Sequence, residues 1–578
     1  MKPRILIDLR HYSKALFSAD LMAGLVVGIV ALPLAIAFAI AASPGGDAEH
    51  TIGPGIGIIT AIVAGLIISL FGGSRVQIGG PTGAFIVIIY GIVAKFGLSG
   101  LLVATILAGV MLVLMGVFRL GSVIKFIPYP IVVGFTSGIA LTIFTTQVKD
   151  LLGLTLEGGA PAAFIDKWMC YFRNITTLQW DAVAVSVVSI AIIVACTRWM
   201  KRLPGSLIAI IVTTVTVYFT NQSGLTHVAT IGDRFGNITA SLPHINAFHL
   251  DWKSLFTDAQ GHFTFNTLSA LFPSAFVIAI LGAIESLLSA TVADGVTGDH
   301  HDSNQELIGQ GIANIVAPFF GGIPATGAIA RTMTNINNGA RTCIAGVVHA
   351  LVLLVIFIVA MPLAAYIPMP TLAGVLVVVS YNMSQWRTFA QLTHRPKSDV
   401  VVLLVTFVLT VVFDLTIAIE LGLVLACLLF MRRMAEVTQL SIFTKEIDPN
   451  ADPVADIPLH EEALVIPDGV EVYEINGPFF FGVANRFEEM TAEMQDHPAI
   501  RIIRMRRVPF IDSTGVHNLE NLCLMSQRDG TQIILSGVQP KVRAVLERAG
   551  FPALIGEDNI CSHITIALER AAALRAKA

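Results

Sequence analysis

Two short motifs carry the residue types of an anion-binding site. Thr82-Gly83-Ala84 lies in the segment GGPTGAF, and Thr326-Gly327-Ala328 lies in GGIPATGAI. Each motif follows a stretch rich in glycine and proline and precedes a short apolar helix. A helix N-terminus offers free N–H groups and a partial positive charge, and small residues let the backbone approach a ligand. The motifs therefore predict an anion cradle between two helix N-termini, with close helix packing through small residues as the alternative.

Charged residues inside apolar segments extend this prediction. Arg331 follows Gly327 by one helical turn and would place a positive charge beside the cradle. Glu285 lies within LGAIESLLSA, one turn before Ser289. Intramembrane charges are costly and usually functional, and a carboxylate repels an anion unless it binds a proton or cation. Glu285 is therefore predicted to couple proton or sodium binding to anion binding. A structural Glu285–Arg331 ion pair is the alternative.

The cradle motif belongs to a longer internal repeat. Phe126-Ile-Pro-Tyr-Pro reappears as Tyr366-Ile-Pro-Met-Pro, at nearly the same offset that separates the two cradle motifs. This offset corresponds to seven apolar segments. Because seven is odd, the second half would cross the membrane in the opposite sense. The sequence thus predicts an inverted-topology repeat, which many secondary transporters build around a midplane site.

The composition requires lipid as a solvent and partner. Of the 578 residues, 54% are hydrophobic and 13% are charged, whereas roughly 25% are charged in a typical soluble domain. Apolar runs close to the spanning length of about 20 residues recur along the chain. They predict fourteen spans, at residues 20–42, 54–72, 80–96, 99–118, 126–147, 180–200, 204–220, 268–292, 305–320, 325–340, 341–363, 368–384, 398–414 and 416–434.

Basic residues predict the orientation. The N-terminal segment 1–19 is rich in Lys and Arg, and the last span ends at Arg432 and Arg433, while short loops on the opposite side are nearly free of both. The positive-inside rule therefore places both termini in the cytoplasm. A net charge of −4 gives no reason to expect nucleic acid as a partner. The chain has no recognisable catalytic motif and no CxxC pair, so we expect neither an enzyme nor a metal or cofactor site.

The chain changes character after the membrane domain, residues 20–434. Residues 435–461 are largely polar, which predicts a linker before a C-terminal domain at residues 462–578. There, short strands such as IRIIRMRRV and TQIILSG alternate with helices such as RFEEMTAEMQ, STGVHNLENLCLMSQR and PKVRAVLERAG. This alternation predicts a small α/β domain.

Several segments resemble the sulfate permease family of anion transporters over nearly the whole chain. They are GIVALPLAIAFA in span 1, GGPTGAF in span 3, GAIESLLSA in span 8 and GGIPATGAIARTMTNINNGARTCIAG in span 10. The pattern resembles in particular the bacterial subgroup that includes the enteric C4-dicarboxylic acid transporter. The segment Phe510-Ile-Asp512-Ser513-Thr514-Gly515 resembles a STAS domain (sulfate transporter and anti-sigma factor antagonist). The antagonists are phosphorylated at the serine that matches Ser513, while the plainer expectation is a helix N-cap at Asp512 or Ser513.

The resemblance implies a seven-plus-seven inverted repeat, in which a core of spans 1–4 and 8–11 moves against a gate of spans 5–7 and 12–14. It also implies a homodimer in the bacterial inner membrane and a cytoplasmic protein partner for the STAS domain. Motif matching adds Phe85 and Ala330 to the site, retains Glu285 for the coupling ion and places Ser289 beside it. Glutamate at position 285 favours the proton over sodium, because sodium-coupled bicarbonate members of the family typically have aspartate there. The full predicted substrate set is Thr82, Gly83, Ala84, Phe85, Thr326, Gly327, Ala328, Ala330 and Arg331.

Two departures from the family pattern leave the substrate open. Many sulfate-type members have glutamine where this chain has Leu34, and serine where it has Ala330. Sulfate, a C4-dicarboxylate and bicarbonate all stay possible. The expected function is secondary active anion transport, by proton-coupled symport with an elevator-like motion. The alternatives are an uncoupled channel or exchanger of the same fold, and a membrane-anchored sensor that signals through the STAS domain.

Overall fold

The structure is a computed structural model. It describes residues 2–44, 50–122, 128–156, 161, 163–199, 204–236, 266–413, 415–447, 464–481 and 498–576. Phe126 of the repeat motif, residues 448–461 of the predicted linker and the predicted helix RFEEMTAEMQ lie outside these ranges. The chain divides into two compact units, residues 1–426 and 427–578.

Helices occupy all fourteen predicted spans within the described residues. Spans 3 and 4 form one run that is interrupted at Gly97, whose φ of 64° suits glycine. Eight of the described helices are long and apolar enough to cross a membrane by themselves, while the others are short or broken. The observed bounds are Lys14–Ala41, Pro54–Phe71, Ile86–Val117 for spans 3 and 4, Tyr129–Leu152, Trp180–Trp199, Gly205–Gln222, Asn266–Thr297, Ser303–Val316, Ile329–Asn337, Ile344–Ala364, Met369–Met383, Lys397–Val412 and Leu415–Val437.

Contacts between loops agree with fourteen alternating crossings. Arg4 donates its amide to the Gly72 carbonyl after span 2, at 3.0 Å, and its guanidinium contacts Asp299 after span 8, at 3.2 Å. These loops should share one face with the N-terminus. The Ile231 amide, after span 7, donates to the Ile367 carbonyl, after span 11, at 2.9 Å. Those two loops should share the opposite face. We call these the terminus face and the far face.

The spans pack in two groups. In the first, span 1 packs on spans 2 and 11, span 2 on spans 9 and 11, the paired spans 3 and 4 on spans 8 and 9, and span 10 on span 8. In the second, span 5 packs on spans 12 and 13, and span 6 on spans 7 and 12. The groups correspond to the expected core and gate. The seven-plus-seven architecture is therefore confirmed.

The described residues of the C-terminal unit form a five-stranded sheet covered by helices. In spatial order its strands are Gln439–Phe443, Val470–Asn476, Ile500–Arg507, Gln532–Ser536 and Ile560–Cys561. The first pair is antiparallel and the other pairs are parallel. Helix Ser513–Arg528 covers one face of the sheet and helix Ile564–Arg575 covers the other. Two shorter helices, Pro540–Arg548 and Phe551–Ile555, lie in the same domain.

The segment that was expected to be a linker is partly structured. Span 14 continues to Val437, and Gln439–Phe443 follows almost at once as an edge strand paired with Val470–Asn476. A second short strand, Glu446–Ile447, pairs with Leu464–Val465. The alternation in QLSIF is only five residues long and lies beside polar sequence, so it was a weak strand signal. Its pairing partner, which lies more than 25 residues later, supplies the stability.

Candidate functional site

The two broken spans cross as extended backbone inside the membrane unit. Gly79 pairs with Gly327 and Gly80 with Thr326, in an antiparallel register. Directly after this pairing, the Ala328 amide donates to the Ile78 carbonyl at 2.9 Å. In lipid, backbone groups outside helices must find partners within the protein, and this crossing supplies them. The helices of spans 3 and 10 therefore begin close together at this crossing, as the repeat predicted.

Buried polar side chains hold the crossing in place. Gln77 donates to the Ser286 carbonyl at 3.2 Å, Asn335 donates to the Val76 carbonyl at 2.9 Å, and Thr332 accepts the Ile78 amide at 3.1 Å. None of these three side chains was predicted for the site. These side chains support the crossing and do not line the cavity. In the sequence they could have been noticed only as polar residues inside an apolar span.

A cavity of about 350 Å³ lies against the crossing. Most of the predicted substrate residues line it, together with Glu285 from span 8. The predicted residues that line the cavity are Thr82, Gly83, Ala84, Glu285, Ala328, Ala330 and Arg331.

Four other predicted residues are buried behind the cavity wall. Thr326 donates its hydroxyl to the Gly282 carbonyl at 2.8 Å, and Ser289 donates to Thr332 at 3.2 Å. Gly327 is held in the strand pairing, and Phe85 is fully buried. The structure therefore gives these residues a role in shaping the wall, and does not bring them to the cavity surface.

The gate supplies cavity residues that sequence reasoning missed. From span 5 they come from its first two turns, and from span 12 they come from its last turn and the residues just after it. Both of these span ends lie on the terminus face. Gln385 has a φ of 43°, so the chain breaks sharply there. The gate residues are Val132, Phe135, Thr136, Val379, Asn382, Met383 and Gln385.

Span 1 covers the other side of the cavity. Leu34 and Phe38 line it from the half of span 1 that leads to the far face. The gate wall thus lies toward the terminus face and an apolar wall lies toward the far face. Leu34, which replaces the glutamine of many sulfate-type family members, contributes no hydrogen bond.

The two charged residues of the cavity are not paired with each other. Glu285 accepts a 2.7 Å hydrogen bond from the Thr82 hydroxyl at Oε1, and Oε2 is buried without a partner among the described residues. Arg331 is 2% exposed and donates through Nη2 to the Pro81 carbonyl. Its Nη1 is buried and has no partner within the part of the chain that the structure describes. No carboxylate in the described ranges lies within 4.0 Å of this guanidinium, so the predicted alternative of an ion pair is not formed in this conformation.

Backbone donors reinforce the positive charge of Arg331. Span 10 begins at Ile329, after Ala328 in an extended conformation. The first-turn amides of a helix have no intrahelical partner. The amides of Ile329, Ala330 and Arg331 therefore stand at the positive end of this helix, beside the cavity. An anion in the cavity would meet a guanidinium and a helix N-terminus together.

Comparison with known proteins identifies the family. Residues 17–406 match the sulfate permease family. The chain belongs to this family. Residues 463–567 match the STAS domain. Members of the sulfate permease family are transporters, so the expectation that the chain is not an enzyme is confirmed.

The sulfate permease relatives align over nearly the full chain. YvdB of Bacillus subtilis (strain 168), named as a candidate sulfate transporter, is 39% identical over 96% of this chain and 98% of its own length. The bicarbonate transporter BicA of Picosynechococcus sp. is 29% identical over 92% of this chain and 90% of its own length. High affinity sulfate transporter 1 of Stylosanthes hamata is 25% identical over 95% of this chain and 83% of its own length.

Two solved structures show the same architecture. The transmembrane domain of a cyanobacterial bicarbonate transporter BicA superimposes with a TM-score of 0.59 at 27% identity, covering 71% of this chain and 98% of that one. Murine solute carrier 26 family member A9, an anion transporter in the inward-facing state, superimposes with a TM-score of 0.83 at 19% identity, covering 99% of this chain and 94% of that one. The second likeness shows the fold, including the C-terminal domain.

The predicted phosphorylation residue lies at a helix start in the STAS domain. Ser513 is the first residue of helix Ser513–Arg528 and is exposed. The N-cap is Asp512, whose carboxylate accepts the Gly515 amide at 2.8 Å and the Phe481 amide at 3.2 Å. The Ser513 hydroxyl is thus available to solvent, and its phosphorylation stays a prediction.

Proposed function

We propose that this anion transporter of the sulfate permease family carries a small anion together with a proton, by alternating access of its core and gate. One observation supports this most directly. Glu285 and Arg331 share one cavity without pairing, and each has a buried polar atom without a described partner. Such a site binds an anion well only when the carboxylate is neutral.

Simple electrostatics gives the size of this effect. Two negative charges about 6 Å apart repel by about 3 kcal/mol at an effective dielectric constant of about 20. A repulsion of that size lowers affinity roughly 100-fold. A proton on Glu285 removes it, and the Arg331 guanidinium and the span 10 amides then bind the anion. Loss of the proton on the other side would weaken binding and favour release.

The walls of the cavity fit alternating access. Its charged residues and its cradle come from core spans 3, 8 and 10, and its wall toward the terminus face is built by gate spans 5 and 12. The gate residues come from span ends on the terminus face. A displacement of the core relative to the gate would close the cavity on the terminus face and open it to the far face. We assign the terminus face to the cytoplasm of a bacterial inner membrane, because the basic residues concentrate there.

We propose a small carboxylate, with C4-dicarboxylates first, as the substrate class. Leu34 and Ala330 offer no side-chain hydrogen bonds, whereas sulfate exposes four oxygens that require donors on all sides. The gate wall is largely apolar but includes the amides of Asn382 and Gln385. An elongated dicarboxylate could place one carboxylate at the core cradle and its second carboxylate near these amides. Its carbon chain would then lie against the apolar residues of the gate wall. The sulfate and bicarbonate transporters among the relatives make those anions the required competitors.

The test is uptake by the purified full-length protein in proteoliposomes. We expect labelled fumarate to accumulate under an inward proton gradient, and to do so without sodium. Unlabelled succinate should compete more strongly than sulfate or bicarbonate. Conductance without gradient-driven accumulation would instead indicate a channel. Binding without movement would indicate a sensor that signals through the STAS domain. Uptake driven by a sodium gradient alone would overturn the proton assignment.

The assembly is also a proposal. The family resemblance supports a homodimer and a cytoplasmic protein partner for the STAS domain. Chemical cross-linking in native membranes, followed by mass determination, tests the dimer. A single mass of one chain across all cross-linker lengths would contradict it.

A further inference from the structure

A buried lysine lies at the boundary between gate and core. Lys167 belongs to helix Phe164–Arg173, which connects spans 5 and 6, and it is 3% exposed. Its ammonium lies over the ring of Tyr90 in span 3, with Nζ 4.8 Å from the ring centroid. No carboxylate in the described ranges lies within 4.0 Å of this ammonium. Burial lowers the pKa of Lys167 to about 8, so the side chain is still mostly charged at pH 7.

The contact between Lys167 and Tyr90 is less stable than apolar packing at the same position would be. Burial removes the hydration of this charge, and no carboxylate among the described residues compensates for it, so an apolar side chain of similar size would be more stable at the same position. A cation–π contact offsets only part of that loss. The chain thus keeps a positive charge where packing alone would favour methionine or leucine. This suggests that the charge is used in another conformation.

The position of Tyr90 connects this contact to the anion cavity. Tyr90 lies seven residues after Gly83, which is about two helical turns or about 10 Å along span 3. Gly83 lines the cavity, so span 3 leads directly from the site to the Lys167 contact. Span 3 runs toward the far face, away from the gate residues that line the cavity.

The contact also crosses the boundary between the two groups of spans. Span 3 belongs to the core, whereas helix Phe164–Arg173 packs on spans 5 and 13 of the gate. Three other charged residues on this face are more exposed than Lys167. Asp150 at the end of span 5 pairs with Arg234 at 3.4 Å, and Lys95, farther along span 3, is exposed. Lys167 is thus a buried cation of the gate that is held on an aromatic ring of the core.

We propose that Lys167 is the far-face gate residue of the anion pathway. In the present conformation its ammonium rests on Tyr90 and closes the route between core and gate on that face. When the core moves, the contact with Tyr90 breaks, and the released ammonium attracts the anion to the newly opened entrance. The assignment rests on the proposed alternating-access function, and it extends that function from the midplane site to the entrance.

The first test measures access to the cavity and needs no transport. Leu34→Cys places a thiol in the cavity, in a full-length chain whose Cys170 is replaced by serine. A membrane-impermeant thiol reagent is applied from the far face of oriented proteoliposomes. We expect Lys167→Met and Tyr90→Leu each to raise the labelling rate by about threefold or more, because each removes the cation–π contact. Lys95→Met, which removes the same charge from an exposed site on the same face, should leave the rate unchanged.

A conservative substitution shows whether the cation of Lys167 or only the bulk of its side chain closes the cavity. Lys167→Arg keeps the cation, so it should label like the parent protein. Equal labelling rates in Lys167→Met, Tyr90→Leu and the Lys95→Met control would overturn the gate assignment. If Lys167→Met does not yield folded protein, Tyr90→Leu decides the same question, because it removes the contact from the core side.

The second test measures the entrance role by comparing the two directions of transport. With anion supplied from the far face, Lys167→Met should raise KM about fivefold, a shift within the range of one lost charge interaction. With anion supplied from the terminus face, KM should stay within about twofold of the parent value. An equal rise in both directions would overturn the entrance role. No anion movement by the parent protein would refute the proposed function, while the labelling result would still decide the gate contact.

Discussion

The hydroxyl of Thr82 donates a 2.7 Å hydrogen bond to Oε1 of Glu285. This bond joins the start of the span 3 helix to the middle of span 8 at the wall of the anion cavity. The same hydroxyl oxygen accepts the Ala84 amide at 3.4 Å, so its single proton is directed toward the carboxylate. The first cradle motif is therefore linked directly to the predicted coupling residue.

Substitutions at Thr82 should distinguish the effect of its hydrogen bond to Glu285 from the effect of side-chain size. Thr82→Val keeps the shape and removes the hydroxyl, and a hydrogen bond to a charged group is worth about 1.5–3 kcal/mol. We expect proton-driven uptake to fall by about tenfold or more. Thr82→Ser keeps the hydroxyl and should retain most of the activity. Equal uptake by the valine and serine variants would show that the bond has no role in coupling.

Arg331 should determine anion affinity through both its charge and its shape. Arg331→Gln removes the cation beside the span 10 N-terminus, and we expect the anion Kd to rise by about 10- to 100-fold, as for loss of a charged hydrogen bond. Arg331→Lys keeps the charge but not the planar fork that reaches the Pro81 carbonyl, so it should give an intermediate Kd. Calorimetric titration of the detergent-solubilised protein measures both values. An unchanged Kd in Arg331→Gln would remove Arg331 from the site.

Gly327 should be required for the crossing of the two broken spans. A Cβ at this position would overlap the side-chain amide of Gln77, which is itself bonded to the Ser286 carbonyl. We expect Gly327→Ala to destabilise the membrane unit by about 1–3 kcal/mol, as overpacking of a buried site usually does. Gly53→Ala is the matched control, because a Cβ at Gly53 meets nothing within 4 Å. Thermal unfolding in detergent compares the two, and equal Tm values would contradict the observed pairing.

Asp512 should stabilise the STAS domain independently of any modification of Ser513. Its carboxylate accepts two backbone amides, those of Gly515 and Phe481. Asp512→Ala should cost about 1–2 kcal/mol, as expected for loss of a helix N-cap. Ser513→Ala should leave stability nearly unchanged, because this exposed hydroxyl is not the cap. Limited proteolysis of the full-length protein reports the difference, and equal sensitivity of the two variants would contradict the role of Asp512 as the cap.

Much of the membrane unit could be predicted because its signals are local or repeated. Each apolar run approaches the thickness of a bilayer, so the fourteen spans followed from length and hydropathy. The TGA repeat located the crossing of the broken spans without any knowledge of packing. Glu285 and Arg331 were identified because a charge inside an apolar span is unusual wherever the span packs.

The remaining features depend on contacts between distant segments. Asn382 and Gln385 reach the cavity only because the end of span 12 packs opposite the cradle, and no local pattern indicates that arrangement. Thr326 was expected at the substrate, but its hydroxyl finds the Gly282 carbonyl of span 8 instead. The edge strand Gln439–Phe443 was missed because its pairing with Val470–Asn476 is non-local.

The central claim is that protonation of Glu285 permits anion binding in a cavity where Arg331 and two helix N-termini supply the positive charge. Glu285→Gln tests it most directly, because the amide imitates the neutral acid but cannot exchange a proton. Anion binding and gradient-driven uptake should be measured on the same preparation. We predict that Glu285→Gln binds fumarate at pH 8 at least as tightly as the parent protein, and that a proton gradient no longer drives its uptake. Gradient-driven accumulation by Glu285→Gln at the parental rate would contradict the account.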